Sequence, residues 1–196
     1  QKRMWSAYYA SVAFMDRQVG RVIDELDRLG LRDKTAIVFT SDHGYHLGEH
    51  GFWQKSNLHE EVLRVPLILS VPGVDSGRSE SIVELVDLYP TLSELAGLPI
   101  PAAVQGTSLV PILEDPGAVV KPGALSLNKG YSLRAPGWHY MLYSDGSEEL
   151  YDMTSDPHEF VNLAGSAEHA ADADRMRAIL KQRLHAAGIK DDTKTR

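Results

Sequence analysis

The sequence contains no cysteine. A disulfide, a zinc–thiolate site and a cysteine nucleophile are therefore excluded within this chain. No apolar run approaches the roughly 20 residues that a membrane-spanning helix needs. A positive excess is missing too: 20 Lys and Arg stand against 27 Asp and Glu, a formal net charge of -7. A broad nucleic-acid footprint should be basic, so none is expected. Anionic substrates stay open, because one lysine or one bound metal can dominate the field of a small site. There is no initiating Met, and no basic-then-apolar leader follows Gln1. The sequence reads as processed or truncated, and localisation is not legible from that end. Repeats and low-complexity tracts are absent as well. What is present is ordinary globular composition: 196 residues, 43% hydrophobic and 24% charged. That length suits one or two domains with enough apolar surface to build a core.

Val12, Met15, Val19, Val22, Leu26 and Leu29 recur at steps of three and four, which predicts an amphipathic helix ended by Gly30. The β-branched run Thr35 to Thr40 reads as a fully buried strand, as in a parallel sheet. A loop rich in Gly and His follows, from Ser41 to about Asn57. Val65 to Val71 reads as a second buried strand, with Pro66 at its start. A short helix is expected from Asp87, as N-cap, to Ala96, with Pro90 in its first turn and Gly97 after it. Leu98 to Gly123 is rich in Pro and Gly, and a subdomain boundary is expected near Lys121-Pro122-Gly123. Beyond it, strands are expected at Tyr131–Ala135, His139–Tyr143 and Glu149–Asp152, the last two joined by an Asp145-Gly146 turn. A last helix is expected from Ser166, as cap, to Ala187, with Met176, Ile179, Leu180, Leu184 and Ala187 on its apolar stripe and Gly188 after it. The polar tail Lys190 to Arg196 is expected to be disordered. The sum is an α/β layer followed by an α+β appendage.

Four of the eight histidines, His43, His46, His50 and His59, fall within 17 residues, beside Asp42, Glu49 and Glu60. The stretch begins where the first strand ends, the place where open α/β sheets bind ligands. A lone Asp-His pair there is ordinarily a turn cap beside a surface histidine. His46-Leu47-Gly48-Glu49-His50 also fits the H-x-x-E-H zinc-protease pattern. That chemistry needs a helix, and Gly44, Gly48 and Gly51 disfavour one. The glycines suit a tightly packed loop instead.

Ser41-Asp42-His43-Gly44, Leu47-Gly48-Glu49-His50-Gly51, Trp53, Lys55 and Arg64-Val65-Pro66-Leu67-Ile68 together resemble the type I sulfatases of the alkaline-phosphatase-like superfamily. Ala7 to Gly20, Glu84 to Leu92, Gly130 to Arg134, Glu149-Leu150-Tyr151-Asp152 and Asp156-Pro157 with Glu159 and Asn162-Leu163 extend the resemblance over almost the whole chain. The branch it resembles most is the iduronate-2-sulfatase-like one, then the choline-sulfatase-like one. The resemblance implies an α/β fold: part of an alkaline-phosphatase-like sandwich over residues 1–122, then a smaller α+β subdomain over 123–196 with antiparallel strands and a C-terminal helix. It implies that Asp42 and His43 form the second half of a divalent metal site. Calcium is the family's usual ion, with manganese or zinc as alternatives suited to a His ligand. It implies that Lys55 is catalytic and binds sulfate. His46 and His50 either face substrate or brace the loop. Trp53 is expected to pack structurally, and Arg134 to form a structural ion pair. Tyr151, Asp152, Asp156 and Asn162 are expected in turns and hairpins, and Glu60 and Glu61 on a solvated helix face.

The family's nucleophile is a formylglycine made from a C/S-x-P-x-R motif, and this sequence has none. The paired aspartates of the first metal half are also missing. The resemblance therefore implies the C-terminal portion of a sulfatase. Its partners are the N-terminal part of the same sulfatase, which carries the formylglycine, and a sulfated carbohydrate or other sulfate ester. Family habit implies an exported, periplasmic or lysosomal setting. Two alternatives remain open at this point: a phosphonate or phosphodiester hydrolase of the same superfamily, and a non-catalytic fragment that binds glycans or supports a partner chain.

Overall fold

The computed structural model describes residues 1–189. The expectation for the tail from Lys190 to Arg196 lies outside the described residues. The chain forms two compact units, one of Gln1–Lys55 with Arg64–Asp75, the other of Ser56–Leu63 with the chain from Ser76 onward.

In the first unit, helix α1 spans Lys2–Arg28. Its interior has no proline to break the ladder. Strands β1 (Ile37–Thr40) and β2 (Leu67–Ser70) pair antiparallel, with Ile37 opposite Ser70 and Thr40 opposite Leu67. This corrects the expected fully buried strand of a parallel sheet. The connecting loop doubles back instead of crossing over, and β1 is only half-buried along its length. Pro66 sits just outside β2, where its missing N–H costs no ladder bond.

In the second unit, α2 (Glu60–Leu63), α3 (Leu88–Leu95) and α4 (Val110–Glu114) are short. Strands β3 (Ala124–Leu127), β4 (Gly130–Ala135), β5 (Trp138–Tyr143) and β6 (Glu148–Asp152) form an antiparallel meander in that order. Helix α5 runs Ala170–Ala186. The period-two alternation of a strand sends one set of side chains to α5 and the other away from it. Leu133, Ala135, Tyr140 and Leu150 pack against Ala173, Met176, Leu180 and Leu184 of α5. On the opposite face Met141 and Tyr151 pack against Leu58. The segment Ser56–Leu63 thus belongs to this unit because its leucine is buried on the sheet.

Strand β3 is missed by sequence reading. Its four residues carry too little pattern, and only its pairing with β4, Leu125 opposite Leu133, makes it a strand. Asp87 is not the side-chain cap of α3. Its carboxylate serves the preceding turn, accepting from the Glu84 N–H at 2.8 Å, and also accepts from the Thr107 N–H at 2.8 Å. Lys121, four per cent exposed at its side chain, donates to Asp87 at 2.5 Å and to Glu84 at 2.6 Å. Ser166 does not cap α5 either; the helix starts later, after a turn in which the His169 N–H donates to the Ser166 carbonyl.

Candidate active site

The loop leaving β1 is organised by its own polar groups. The Ser41 hydroxyl donates to the His43 carbonyl at 2.9 Å, and the His43 N–H donates to Asp42 Oδ1 at 2.9 Å. That backbone bond, helped by the nearby Lys55 ammonium, holds the Asp42 carboxyl below its usual range. His43 Nδ1 lies 2.8 Å from the Gly44 carbonyl. A carbonyl only accepts, so the proton sits on Nδ1 and the Nε2 lone pair is free to accept. Lys55 Nζ donates to that Nε2 at 2.6 Å, and Asp42 Oδ2 lies 3.5 Å from it. Residues 42, 43 and 55 are therefore brought together: a carboxylate, an imidazole lone pair and an ammonium at the carboxyl end of β1. The Asp42 side chain is 84% exposed, so its outer oxygen is available. An oxygen donor and a nitrogen donor of this kind fit a divalent cation, with the remaining ligands supplied from beyond this pair.

His46 is fully buried, its ring centroid 5.5 Å from Phe52 and 5.9 Å from His50. In this chain it braces the loop. The H-x-x-E-H reading is overturned, because Glu49–Gly51 is a single 3-10 turn and His50 has a positive φ of 52°. Gly48 explains the tightness: its φ is 118°, and a Cβ there would meet the Trp53 ring at 3.3 Å. Helix α1 supports the loop from one side, with Trp5 Nε1 donating to the Leu47 carbonyl at 2.7 Å and Tyr8 stacked on Tyr45.

A second polar cluster lies on the sheet face that carries Leu58, and sequence reading missed it. Glu159 is two per cent exposed and has a φ of 57°, an unusual backbone for a non-glycine residue. Its Oε2 accepts from His59 Nδ1 at 2.7 Å and from the Glu60 N–H at 3.2 Å, while Oε1 is held by His139 Nδ1. His139 Nε2 in turn meets the Ser132 hydroxyl at 2.6 Å. Burial alone would raise the Glu159 carboxyl; hydrogen bonds from His139 and His59 outweigh it and bring it down to about 2. Burial lowers the His59 imidazole, but the bond to Glu159 and nearby carboxylates outweigh that and leave it raised. Hydroxyl, imidazole and carboxylate stand in the order of a serine-hydrolase triad. Ser132 and His139 are one and zero per cent exposed, so no substrate reaches them. Glu60, His139 and Glu159 also offer ligand atoms within 4.8 Å of one another. Protein donors already meet the Glu159 carboxylate, and Glu60 pairs with Arg134 Nε at 3.2 Å. The solvated face expected for Glu60 is thereby corrected: the residue is partly buried because it reaches across to β4. Arg134 forms the structural pair expected of it. Asn162 accepts the Leu150 and Ala164 N–H groups, and Asp156 the Val161 N–H, in the turn roles expected of them. Its sequence signals were His59, in the histidine-rich stretch, and the Asp-Pro-x-Glu segment, with nothing in the sequence to join the two.

With this geometry in view, the family model described as Sulfatase matches residues 1–98, half of the chain. The chain belongs to the sulfatase family. This sulfatase chain is 34% identical over 192 residues to N-acetylglucosamine-6-O-sulfatase of Bacteroides thetaiotaomicron, across 89% of the chain and 34% of that protein. It matches, at TM-score 0.87 and 31% identity, a protein solved in complex with its substrate D-glucosamine-2-N,6-O-disulfate, covering 92% of this chain and 40% of that one. It also matches a phosphonate monoester hydrolase from Silicibacter pomeroyi at TM-score 0.78 and 30% identity, over 91% of this chain and 40% of that one. The sulfatase chain spans about a third of the length of the curated relatives it matches. Its mixed α/β architecture, with antiparallel sheets and a C-terminal helix, is the type I sulfatase fold of the alkaline-phosphatase-like superfamily.

Proposed function

We propose that this chain is part of a sulfuric ester hydrolase that acts on a sulfated carbohydrate, and that Lys55, Asp42 and His43 form its share of the sulfate site. The observation that carries the reading is the approach of both Lys55 Nζ, at 2.6 Å, and Asp42 Oδ2, at 3.5 Å, to His43 Nε2. Cleaving a sulfate ester moves negative charge onto the ester oxygen. The Lys55 ammonium stabilises that charge at the leaving oxygen and holds the sulfate in place, because it is already fixed before the reaction begins. Asp42 and His43 would hold the divalent cation, with calcium favoured, and a bound cation there adds Lewis-acid stabilisation of the sulfate oxygens. The Gly44 carbonyl fixes the His43 tautomer, so the one Nε2 lone pair is the atom that would go to the cation, and a bound cation would leave the Lys55 ammonium to the sulfate. His46 and His50 are secondary contributors to this pocket: His46 shapes it from beneath, and His50 is assigned to substrate contact.

The nucleophile, a formylglycine by family resemblance, is placed in the rest of the same sulfatase. Two observations support that partner. The chain matches only about a third of its relatives' length. Helix α1 has no buried residue, and Met4, Trp5, Tyr8, Val12, Met15 and Val22 are exposed along it. A stripe of that size on a soluble protein marks an interaction surface. In the complete enzyme, residues 1–122 fall in the catalytic domain and 123–196 in the antiparallel-sheet subdomain.

The likeness to a phosphonate monoester hydrolase favours a second reading, in which the same groups act on a phosphonate ester. The test is turnover of an aryl sulfate and an aryl phosphonate by the complete enzyme, wild type and Lys55→Ala. Preference for the sulfate, with a fall of about 10²-fold or more on losing the ammonium, is the expected result. Preference for the phosphonate moves the substrate class. An unchanged rate removes Lys55 from the mechanism.

A further inference from the structure

Asp42 and His43 stand where the chain enters the loop after β1, and Lys55 stands where it leaves; all three lie in the first unit, with the whole loop between them. The chain reverses at residues 48–51, where Gly48, His50 and Gly51 have φ values of 118°, 52° and 75°. The returning arm, Phe52 to Gln54, is then tied to the outgoing arm at three consecutive carbonyls. The Phe52 carbonyl accepts from the Gly48 N–H at 2.9 Å, and the Gln54 carbonyl from the His46 N–H at 3.0 Å. These two bonds share one antiparallel register, in which alternate carbonyls face the partner arm. By that alternation the Trp53 carbonyl is turned from the partner's N–H groups. It accepts from the Tyr45 hydroxyl instead, at 2.8 Å.

The residue that follows these three carbonyls is Lys55. Its ammonium donates to His43 Nε2 at 2.6 Å. That lone pair is the one a bound cation would take, so in the loaded site His43 does not hold the ammonium. Its placement then rests on the backbone that carries it. A lysine is a point charge on a flexible stem, and it stabilises a leaving oxygen only if it is already in place. Two of the three ties come from main-chain N–H groups, which any residue but proline supplies. The third comes from a side chain. The Tyr45 ring has its own support, stacked on Tyr8 of α1 with centroids 6.1 Å apart. The hydroxyl therefore adds registration of the returning arm, not burial of the ring.

We propose that Tyr45 is a positioning residue of the sulfate site: its hydroxyl, by fixing the Trp53 carbonyl, sets the placement of Lys55 two residues further on. The inference rests on the sulfate-site reading above.

The experiment is a double-mutant cycle on the complete sulfatase with an aryl sulfate: Tyr45→Phe, Lys55→Ala and both together, with folding checked by circular dichroism and thermal melting. Tyr45→Phe keeps the ring and its stacking and removes one hydrogen bond. It is expected to lower kcat/KM by about 3- to 10-fold, the range one such bond commands. Once Lys55 is alanine, the same substitution should cost less than about twofold, because no ammonium is left to place. An equal loss in both backgrounds, or a wild-type rate in Tyr45→Phe, overturns the proposal while leaving the sulfatase reading intact. Loss of the fold in Tyr45→Phe would show the hydroxyl to be structural and overturns it too. An unchanged rate in Lys55→Ala alone overturns the sulfate-site reading, and the positioning role falls with it.

Discussion

Glu159 is buried to two per cent exposure and keeps its charge because His59, His139 and the Glu60 N–H surround it. The consequence is a stability that depends on pH with a definite sign. The folded carboxyl sits at about 2 against an ordinary value of 4.5. Its contribution is complete above the ordinary value and is lost as pH falls through it toward about 2. By linkage that loss is about 3 kcal/mol. His59 is raised, so its contribution is complete below the ordinary histidine value near 6.5 and fades as pH rises past the folded value. Denaturant midpoints measured against pH should therefore be highest between about pH 4.5 and 6.5, and Glu159→Gln should flatten the acid limb. An acid limb unchanged in that variant would show that other carboxylates carry it. At this scale the sequence was partly legible. Asp42 and His43 stood out because unusual residue types followed a strand end, whereas Lys55 was picked out by the family resemblance alone. His59 stood among them, but its partners His139 and Glu159 are 80 and 100 residues further on, and no local pattern joins them.

The helices were legible for a local reason. α1, α3 and α5 each end on a glycine in the left-handed region, Gly30, Gly97 and Gly188. In each, the glycine N–H and the N–H after it turn back onto the last turn: Leu31 to Leu26, Leu98 to Ser93, Ile189 to Leu184. This Schellman closure is written in an apolar stripe followed by glycine, so the ends were found to within a residue or two. Starts were less legible. Asp87 and Ser166 have the chemistry of caps, but tertiary partners claimed the first and the second precedes a separate turn. The apolar stripe of α5 carries much of the second unit's core. Leu180 is two per cent exposed among Leu133, Tyr140 and Met176. Leu180→Ala should cost about 2–5 kcal/mol in chemical denaturation of this chain, with the lower end only if neighbours collapse into the space. A change under about 1 kcal/mol would mean that α5 is not closing this core.

Among the described residues of the whole molecule, the two units differ in how much they bury. The second holds both apolar clusters, whereas in the first only His46 is buried. Local opening is easiest where few apolar contacts must break. In hydrogen exchange on the chain alone, amides of α1, β1 and β2 should therefore exchange faster than those of β4, β5, β6 and α5. Equal protection would contradict that division. No helix among the described residues is long and apolar enough to cross a membrane. The sequence by itself determined whatever depends on neighbours along the chain: the helical stripes and their glycine ends, the Asp145-Gly146 hairpin, the strand after which Asp42 and His43 fall, and the family. These follow from backbone geometry and side-chain periodicity, which act over a few residues. Only the tertiary structure decided that β1 and β2 run antiparallel, that Asp87 and Lys121 are a buried pair, and that His59, His139 and Glu159 meet. Those depend on which distant segments are brought together, and burial then selects the charged groups that can satisfy one another.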